Sequence, residues 1–183
     1  MHQLLKFKFL FLNPKNLVEE LEVDLGWEVA DFGCGSGSIT IELARAVGAD
    51  GKVSALDVMV PPLESVASSA RALGLKNIKM IQANLEVEGS STLKDESQDL
   101  VVLANILFQS DERQAIIKEA KRVLSPGGLL VVIDWKKNKS TKLGPSLDNL
   151  VNPFELREMV GLPFERELRS TGTYHFGLVF KKE

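Results

Sequence analysis

The sequence predicts an α/β protein in which a mostly parallel sheet is covered by helices on both faces. Three observations predict this fold class: apolar strand-type runs alternate with segments of helical period, a glycine-rich turn follows the first strand, and two consecutive strand-type runs close the chain. The chain has 183 residues, of which 44% are hydrophobic, enough for a sizeable core. We expect residues 1–183 to form a single domain, with residues 1–13 as an apolar N-terminal extension.

The first half of the chain alternates strand-type runs with helical segments. The predicted strands cover residues 27–32, 52–57 and 77–82. Helical segments begin near Pro14, after the glycine-rich turn, and after Pro61–Pro62. Gly48 or Gly51 ends the second helix and Gly74 ends the third.

The second half of the chain predicts two more strands and then an antiparallel ending. Strands at 99–104 and 129–135 flank a helix at 111–124, and Pro126–Gly128 turns the chain into the second of them. A short helix is predicted at 153–160. It precedes two strand-type runs at 164–169 and 174–180, which are close enough in sequence to pair as a hairpin.

Composition argues against several function classes. The 22 basic and 25 acidic residues give a formal charge of −3, so the chain has no overall basic field for nucleic acid. The single cysteine, Cys34, excludes an intramolecular disulfide and a cysteine-rich metal site. Because His2 and His175 lie far apart in the sequence, they argue against a histidine zinc centre, and we expect no bound metal.

The apolar segment Leu4–Leu12 matches neither a signal peptide nor a membrane span. Lys6 and Lys8 interrupt it, and the remaining run is much shorter than the ~20 residues that cross a bilayer. We favour packing of the segment on the domain. Contact with a membrane surface and capping of a substrate pocket stay open. The default expectation is a cytoplasmic protein without a transmembrane segment.

A glycine-rich turn joins the first strand to the next helix. Gly33, Gly35 and Gly37 allow positive φ angles and close approach of the backbone to a ligand. The helix that begins near Ser36 directs free N–H groups at the same place, which favours a carboxylate or a phosphate. Asp57, at the end of the second strand, is placed to accept hydrogen bonds from ribose hydroxyls. Together these features predict a nucleoside-cofactor site at the carboxyl edge of the sheet.

The spacing of the glycines separates the cofactor classes. A dinucleotide fingerprint needs glycine or alanine where this chain has Ser38, and the Gly-Lys-Ser/Thr of a P-loop is absent. Gly-x-Gly-x-Gly preceded by Asp31 resembles instead the S-adenosylmethionine loop of the Rossmann-like (class I) methyltransferases. Further segments that resemble motifs of this family, in the expected order, are 53–58, 81–85, 99–108 and 122–134.

The resemblance implies a fold, a cofactor and a set of contacts. The fold is a Rossmann-like three-layer sandwich with a seven-stranded sheet of order 3-2-1-4-5-7-6 and an antiparallel C-terminal hairpin. The cofactor is S-adenosyl-L-methionine, with S-adenosyl-L-homocysteine as product. The implied cofactor-binding residues are Asp31, Gly33, Cys34, Gly35, Ser36, Gly37, Asp57, Val58, Met59, Asn84, Leu85, Ala104 and Asn105.

Individual roles follow from the same resemblance. Asp31 orients the loop and the methionine ammonium, and Asp57 binds the ribose hydroxyls. Val58 or Met59 packs on the adenine. Asn84 stands where many members have an acid, and its side-chain oxygen is expected to accept a hydrogen bond from the adenine amino group. Ala104 and Asn105 line the methionine side, and Cys34 lends its backbone rather than a nucleophilic thiol.

The methyl acceptor is less determined than the cofactor. Residues 105–108 lack the Asn/Asp-Pro-Pro-Tyr/Phe pattern associated with base amino groups, and the resemblance favours a small-molecule or quinone-type acceptor, methylated by in-line displacement. The candidate catalytic residues are Asp134 and His175, although Asp134 also fits an exposed acid at a strand end and His175 a structural residue. Phe108 and Trp135 are either apolar walls of the acceptor pocket or core residues.

Other interpretations stay open on the sequence alone. One is a domain that binds S-adenosylmethionine without turnover, as a sensor or partner subunit, and a weaker one is an NAD-type oxidoreductase. The lysines of the loop after residue 135 either steer an acidic substrate or are simply solvated. We expect a monomer or a homodimer with a small-molecule substrate.

Overall fold

Seven strands form one sheet in the computed structural model, which describes residues 12–137 and 144–183. The strands are β1 (Glu28–Phe32), β2 (Lys52–Asp57), β3 (Ile78–Gln82), β4 (Gln98–Ala104), β5 (Leu124–Trp135), β6 (Phe164–Glu167) and β7 (His175–Lys181). Their order in the sheet is β3-β2-β1-β4-β5-β7-β6, with β1 to β5 parallel and β7 antiparallel to both of its neighbours. This confirms the predicted fold class.

Helices cover both faces of the sheet. They are α1 (Pro14–Leu21), α2 (Ser38–Ala46), α3 (Val60–Ala72), α4 (Arg113–Val123) and α5 (Pro153–Val160), with short 3-10 turns at Leu107–Gln109 and Leu147–Asn149. Apolar side chains of α1 and α2 form one core with one face of the strands. Those of α4 and α5 form a second core with the opposite face. The alternation of strand side chains between two buried faces explains the unbroken apolar run of β4.

The start of α3 differs from the prediction. The helix begins at Val60, so Pro61 and Pro62 lie inside its first turn rather than before it. Prolines are tolerated there because the first N–H groups of a helix have no partner within the helix. The same rule describes α1, where Pro14 follows the N-cap residue Asn13, whose side chain accepts a hydrogen bond from Asn16 N–H at 3.2 Å.

The predicted turn at Pro126–Gly128 lies inside a strand. β5 starts at Leu124, and its register with β4 shifts, so that Leu124 pairs with Gln98 while Leu129 pairs with Leu100. The β5 residues between these two pairs bond instead to the residue that follows β7. Gly127 N–H donates to the Lys182 carbonyl at 2.7 Å, and Lys182 N–H donates to the Gly128 carbonyl at 2.9 Å. The turn sequence therefore forms an irregular strand start that is held by the end of β7.

The first described helix is fastened to the C-terminal strands. The carboxylate of Glu20 accepts hydrogen bonds from the backbone N–H groups of Arg169 and Ser170, both at 2.8 Å. These two residues precede β7 and lie in the connection between β6 and β7. Most of the predicted N-terminal extension, residues 1–11, lies outside the described residues, so the alternatives stated for it stay predictions.

The parallel connections bring the carboxyl ends of β1, β2, β4 and β5 to one edge of the sheet, where antiparallel β7 begins. The predicted site residues are found along this edge. Within residues 12–137 and 144–183, no helix has the length and apolar character needed to span a membrane. Nor does that part of the chain contain a group of three or more His, Cys, Asp or Glu side chains able to hold a metal ion.

Candidate cofactor and acceptor site

Asp57 connects the glycine loop to the end of β2. Its Oδ2 accepts a hydrogen bond from Gly35 N–H at 3.1 Å, and its Oδ1 accepts one from Met59 N–H at 2.9 Å. The loop is also tied to β2 directly, because Gly33 and Cys34 both donate N–H bonds to the carbonyl of Leu56, at 2.8 and 2.9 Å. A partly buried carboxylate therefore stands beside the loop, with its position set by main-chain donors.

The loop approaches its neighbours too closely for larger residues. Gly37 has φ +86°, and a Cβ built on it would lie 2.6 Å from Val66 Cγ2 in α3. A Cβ on Gly33, at φ +74°, would lie 2.8 Å from Ile106 Cδ1, beyond the end of β4. Gly37 is also the N-cap of α2, and no side chain caps that helix. The first N–H groups of α2 are therefore left to the loop and to whatever binds there.

Asp31 lies under the loop at the end of β1. It is 1% exposed and accepts a hydrogen bond from Thr40 Oγ1 of α2 at 2.6 Å. Burial, together with the neighbouring charge of Asp57, raises the pKa of Asp31 to about 6, although the hydrogen bond from the Thr40 hydroxyl opposes the shift. A cation at this place would favour the ionised carboxylate, which fits the predicted interaction with the methionine ammonium.

The thiol of Cys34 is not set up as a nucleophile. The residue is buried, and burial together with the charges of Asp31 and Asp57 raises the pKa of its thiol to about 12. Because the thiolate is the reactive form, Cys34 is inert at neutral pH. Ser36, next along the loop, is exposed. Both placements agree with a loop that offers its backbone rather than its side chains.

An apolar surface lies beside Asp57. Val58 and Met59 are each 59% exposed, although both follow a buried strand directly. The Val58 carbonyl accepts a hydrogen bond from Gln82 Nε2 at 3.1 Å. The end of β3 is held to the same place, because Ala83 N–H donates to the Asp57 carbonyl at 3.0 Å. The two predicted adenine-packing residues thus form an exposed shelf at the β2–β3 edge.

Asn84 and Leu85 differ in exposure. Leu85 is buried in the core with α4, so its side chain points away from the edge of the sheet, and only its backbone is available to a ligand. Asn84 is exposed, but its Oδ1 already accepts a hydrogen bond from Glu86 N–H at 3.1 Å. The prediction assigned this oxygen to the adenine amino group. The bond from Glu86 uses one of its two lone pairs, so the contact with the adenine amino group stays a prediction.

The loop from β3 to β4 is anchored by a buried charged cluster. Glu119 of α4 is fully buried and accepts hydrogen bonds from Gly89 N–H at 2.9 Å, from Ser91 Oγ at 2.5 Å and from Arg122 at 2.7 and 2.8 Å. Arg122 also donates to the Leu93 carbonyl at 3.0 Å. Although burial opposes it, these donors lower the pKa of Glu119 to about 2.

Asp134 is not the exposed acid that one interpretation of the sequence allowed. It is fully buried at the end of β5, where Oδ2 accepts a hydrogen bond from Phe108 N–H at 3.1 Å and Oδ1 accepts one from Trp135 N–H at 2.7 Å. Burial raises its pKa to about 6, against the opposing effect of these two donors. Asp134 therefore holds the 3-10 turn after β4 to the end of β5.

Asn105, the first residue after β4, has a strained backbone and an unpartnered side-chain oxygen. Its φ is +58°, in the left-handed region that residues with a Cβ rarely adopt. The backbone is held there because Asn105 N–H donates to the Ile133 carbonyl at 2.8 Å and its own carbonyl accepts from Gln109 Nε2 at 2.6 Å. Its buried Oδ1 has no hydrogen-bond partner among the described residues.

His175 lies two strands away, at the start of β7. It is 3% exposed, and its ring packs against Trp135 with a centroid distance of 4.4 Å and an interplanar angle of 43°. Neither ring nitrogen finds a hydrogen-bond partner in the described part of the chain. Burial, assisted by the charge of Lys136, lowers the pKa of His175 to about 4, so the imidazole is neutral at pH 7.

Comparison with known proteins identifies the family. A family model described as a methyltransferase domain matches residues 24–161, which includes β1 to β5 and the whole glycine loop. The chain belongs to this methyltransferase family. The match confirms the family resemblance, and it favours a methyltransferase over the NAD-type oxidoreductase that the loop alone left open.

A solved structure and curated relatives extend the assignment. The SAM-dependent methyltransferase of Aquifex aeolicus superposes with a TM-score of 0.83 at 27% identity, covering 94% of this chain and 91% of that one. It supports S-adenosylmethionine as the cofactor of the domain, as predicted. The demethylmenaquinone methyltransferase of Geobacillus stearothermophilus is 31% identical over 73% of this chain and 56% of its own length. A ubiquinone/menaquinone biosynthesis C-methyltransferase of Cronobacter sakazakii is 26% identical over 96% and 67%.

The chain spans about half the length of most of the curated relatives it matches. The matched part of this methyltransferase domain contains every predicted cofactor-binding residue, from Asp31 to Asn105. His175 lies outside the family match, at the start of β7.

Several residues of this methyltransferase site were missed by the sequence reasoning. Thr40 binds Asp31, Gln82 holds the Val58 carbonyl, and Glu119 with Arg122 anchors the β3–β4 loop. Two signals were available: a hydroxyl in the first turn of the helix after the glycine loop, and an acid–base pair three residues apart on one helix. The contact of Gln82 with Val58 had no such local signal, because it joins the end of β3 to the residue after β2.

Proposed function

We propose that this domain transfers a methyl group from S-adenosylmethionine to a small-molecule acceptor. When bound, S-adenosylmethionine would supply a methyl group activated by its sulfonium, which is transferred to a nucleophilic atom of the acceptor with S-adenosylhomocysteine as the leaving group. The observation that carries the proposal is the arrangement of Asp57 between Gly35 N–H and Met59 N–H, beside the uncapped start of α2. It places a carboxylate and free backbone donors at one sheet edge, which suits a ribose and an amino-acid carboxylate.

The residues on the cofactor side have distinct roles in this proposal. Asp57 accepts hydrogen bonds from the ribose hydroxyls, and the start of α2 faces the methionine carboxylate. Asp31 balances the ammonium group through the loop above it. Val58 and Met59 lose their exposure when they pack on the adenine, a favourable burial of apolar surface.

The acceptor lies beyond the carboxyl ends of β4 and β5 and the start of β7. Asp134 is fully buried, and its two main-chain donors tie it to the 3-10 turn and to Trp135, so we assign it a positioning role rather than proton removal. The neutral imidazole of His175 and the amide oxygen of Asn105 have no hydrogen-bond partner among the described residues, and we assign them to contacts with the acceptor. Because two relatives carry names of quinone-pathway methyltransferases, a hydroxylated quinone precursor is the first acceptor to test.

Binding and turnover test the proposal separately. Calorimetry of the full chain with S-adenosylhomocysteine is expected to show one site, weakened about ten- to a hundredfold by Asp57→Ala, because hydrogen bonds to a charged group contribute ~1.5–3 kcal/mol. Asp57→Asn, which keeps one acceptor oxygen, is expected to fall between the two. An affinity within twofold of wild type in Asp57→Ala would contradict the proposed ribose site.

Turnover is measured with labelled S-adenosylmethionine and a panel of quinone precursors and other metabolites. Cofactor binding without methyl transfer across this panel would favour the alternative of a non-catalytic binding domain or partner subunit. The cytoplasmic location, the single-domain organisation of residues 1–183 and the monomer or homodimer state stay predictions.

A further inference from the structure

The turn at residues 170–174 leads into β7 and is held from outside by helix α1. The Glu20 carboxylate accepts hydrogen bonds from Ser170 N–H at 2.8 Å and from Arg169 N–H at 2.8 and 3.1 Å. The Glu20 carbonyl accepts a further bond from Arg166 Nη2 at 3.3 Å. Glu20 is half-buried in the last turn of α1. The start of the 170–174 turn is therefore fastened to a helix from the other end of the sequence.

The Glu20 carboxylate is ionised at neutral pH. Although partial burial opposes it, hydrogen bonds from Ser170 and Arg169 hold the pKa of Glu20 below its ordinary value. Hydrogen bonds to an ionised group are about twice as strong as those between neutral groups. Glu19, the preceding residue, provides a contrast, because its side chain is 65% exposed and its ion pair with Lys15 spans 3.8 Å. Of these two adjacent acids, Glu20 is the one that binds the turn.

The same turn ends at His175, the first residue of β7. Thr171 Oγ1 donates to the His175 carbonyl across the turn, at 3.1 Å. The Thr171 side chain also lies close to the β7 backbone, since a Cβ added to Gly177 would lie 2.7 Å from Thr171 Cγ2. Leu168 N–H, just before the turn, donates to the Gly177 carbonyl at 2.9 Å, and the Leu168 side chain packs in the same core as α1. A displacement at the start of the turn is therefore transmitted to His175 through close contacts.

The His175 ring depends on the backbone for its position. Neither ring nitrogen has a hydrogen-bond partner among the described residues, and the ring packs on Trp135 at a centroid distance of 4.4 Å. The backbone is held on both sides of this residue: Lys136 N–H donates to the Tyr174 carbonyl at 2.7 Å, and His175 pairs with Trp135 of β5. The path of the chain from the turn into β7 therefore determines where the imidazole lies.

We propose that Glu20 is a positioning residue of the acceptor side. By holding the 170–174 turn, its carboxylate keeps the His175 imidazole packed on Trp135, in the orientation that meets the acceptor. The inference rests on the proposed function, because that function assigns His175 to a contact with the methyl acceptor. Glu20 contacts neither the cofactor nor the acceptor in this proposal and acts through the turn.

The test follows the His175 imidazole by proton NMR of the full chain. The sequence has two histidines, so a His2→Gln background leaves His175 as the single imidazole. In this background, Glu20→Ala is compared with Glu19→Ala, which removes the same charge from the adjacent residue of α1. Glu20→Gln, which keeps one acceptor oxygen, is the conservative variant. Each protein is titrated with acid while circular dichroism monitors the fold, and S-adenosylhomocysteine binding is measured by calorimetry at pH 7.

Glu20→Ala is expected to raise the pKa of His175 from about 4 to about 5 or higher, because a released ring gains solvent. Its ring-proton signals are expected to move toward those of an exposed histidine as the ring leaves Trp135. Loss of a nearby negative charge alone would lower this pKa, so a rise reports the movement of the ring. Glu20→Gln is expected to fall between, and Glu19→Ala to match the background protein.

The outcomes separate the inference from the proposed function. Unchanged His175 signals and an unchanged pKa in folded Glu20→Ala, with S-adenosylhomocysteine still bound, overturn the inference and leave the proposed function standing. The same result in Glu20→Gln decides the question if Glu20→Ala does not fold. Failure of the background protein to bind S-adenosylhomocysteine overturns the proposed function and the inference that rests on it.

Discussion

The cofactor side and the acceptor side of the sheet edge differ in how their polar groups are satisfied. Between β1 and β3, Asp57 and Asp31 have protein donors, and Asn84 has closed its own turn. Between β4 and β7, the oxygen of Asn105 and both nitrogens of His175 are buried without partners in the described residues. Buried polar atoms without hydrogen bonds cost about 1–3 kcal/mol each, so they mark a place where a ligand is expected to supply the bonds.

The comparison indicates that the cofactor side is preorganised and that the acceptor side is completed by its substrate. A preorganised site loses little entropy when it binds, which suits a cofactor that every turnover needs. An unsatisfied site discriminates between acceptors, because a molecule that lacks the matching polar group leaves the protein atoms unpaired.

The largest expected effect comes from breaking the anchor of the cofactor side. Glu119→Ala leaves the partly buried Arg122 without its main partner and frees the β3–β4 loop, and it is expected to lower the free energy of unfolding by about 3–5 kcal/mol. Because the pKa of Glu119 is lowered to about 2, this contribution is present above pH 4.5 and is lost as the pH falls toward 2. Urea denaturation between pH 2 and 7 measures it.

The matched control for Glu119 is Glu88 of the β3–β4 loop. Glu88 forms an exposed ion pair with Lys118, which lies next to Glu119 on α4. Glu88→Ala is expected to cost no more than ~1 kcal/mol, because both side chains are well solvated. Equal losses in the two variants would show that the buried cluster does not anchor the loop.

The second prediction concerns the buried carboxylate beneath the glycine loop. The pKa of Asp31 is raised to about 6, so the folded state binds this proton more tightly than the unfolded state does. The ligand-free protein is therefore expected to lose about 2–3 kcal/mol of stability as the pH rises from ~4 to above 6. Asp31→Asn is expected to remove this loss.

Asp134→Asn provides the comparison on the acceptor side, since the pKa of Asp134 is raised to about 6 as well. Denaturation midpoints from pH 4 to 8 measure both variants. If the denaturation midpoint of Asp31→Asn changed with pH in the same way as that of wild type, burial would not raise the pKa of the Asp31 carboxylate.

The third prediction concerns the role of the His175 imidazole on the acceptor side. His175→Phe removes two nitrogens that have no hydrogen-bond partner among the described residues, and it is expected to raise the free energy of unfolding by about 1–2 kcal/mol while lowering kcat/KM about tenfold. The pKa of His175 is lowered to about 4, so wild type loses stability as the pH falls from 6.5 to 4, and the variant does not.

Thr171 supplies the control of opposite sign. It is 2% exposed, and its hydroxyl donates to the His175 carbonyl at 3.1 Å, so Thr171→Val is expected to cost ~1 kcal/mol. Denaturation and steady-state kinetics measure both changes. A loss of stability in His175→Phe with unchanged kcat/KM would mean that the imidazole is structural.

The smallest expected effect comes from a change in the exposed shelf formed by Val58 and Met59. Met59→Ala is expected to weaken S-adenosylhomocysteine binding three- to fivefold, about 1 kcal/mol of lost apolar contact, and to leave stability within ~0.5 kcal/mol. Phe154, which is 77% exposed on α5, is the control. Calorimetry with Phe154→Ala is expected to give the wild-type affinity, and equal effects of the two variants would argue against a base on the shelf.

The fold and the cofactor side could be predicted because their signals are local. The glycine loop, Asp57 and the alternation of strands and helices are each readable within about 25 residues, and the sheet order follows from the family that they indicate. The start of α3 was predicted after Pro62, whereas the helix begins at Val60. The prediction placed the two prolines before the helix, although proline is common in the first turn of a helix.

The acceptor side depends on contacts between distant segments. Asp134 looks like an exposed acid in the sequence, and it is buried because the pairing of β4 with β5 brings Phe108 N–H over it. The contact between the rings of His175 and Trp135 follows from the position of β7 next to β5. No short-range pattern reports either contact, so these roles required the structure.

The placement of β7 also bears on how the chain acquires its fold. β7 follows β6 along the chain but lies between β5 and β6, so β6 has no strand to pair with until residues 175–181 have been synthesised. The bond between Glu20 and Ser170 likewise joins residues 150 apart. Contacts of such high sequence separation slow folding, and a nascent polypeptide that has emerged only as far as β5 exposes the unpaired edge of that strand. We expect shortening within the last strand to cause aggregation before it causes loss of cofactor binding.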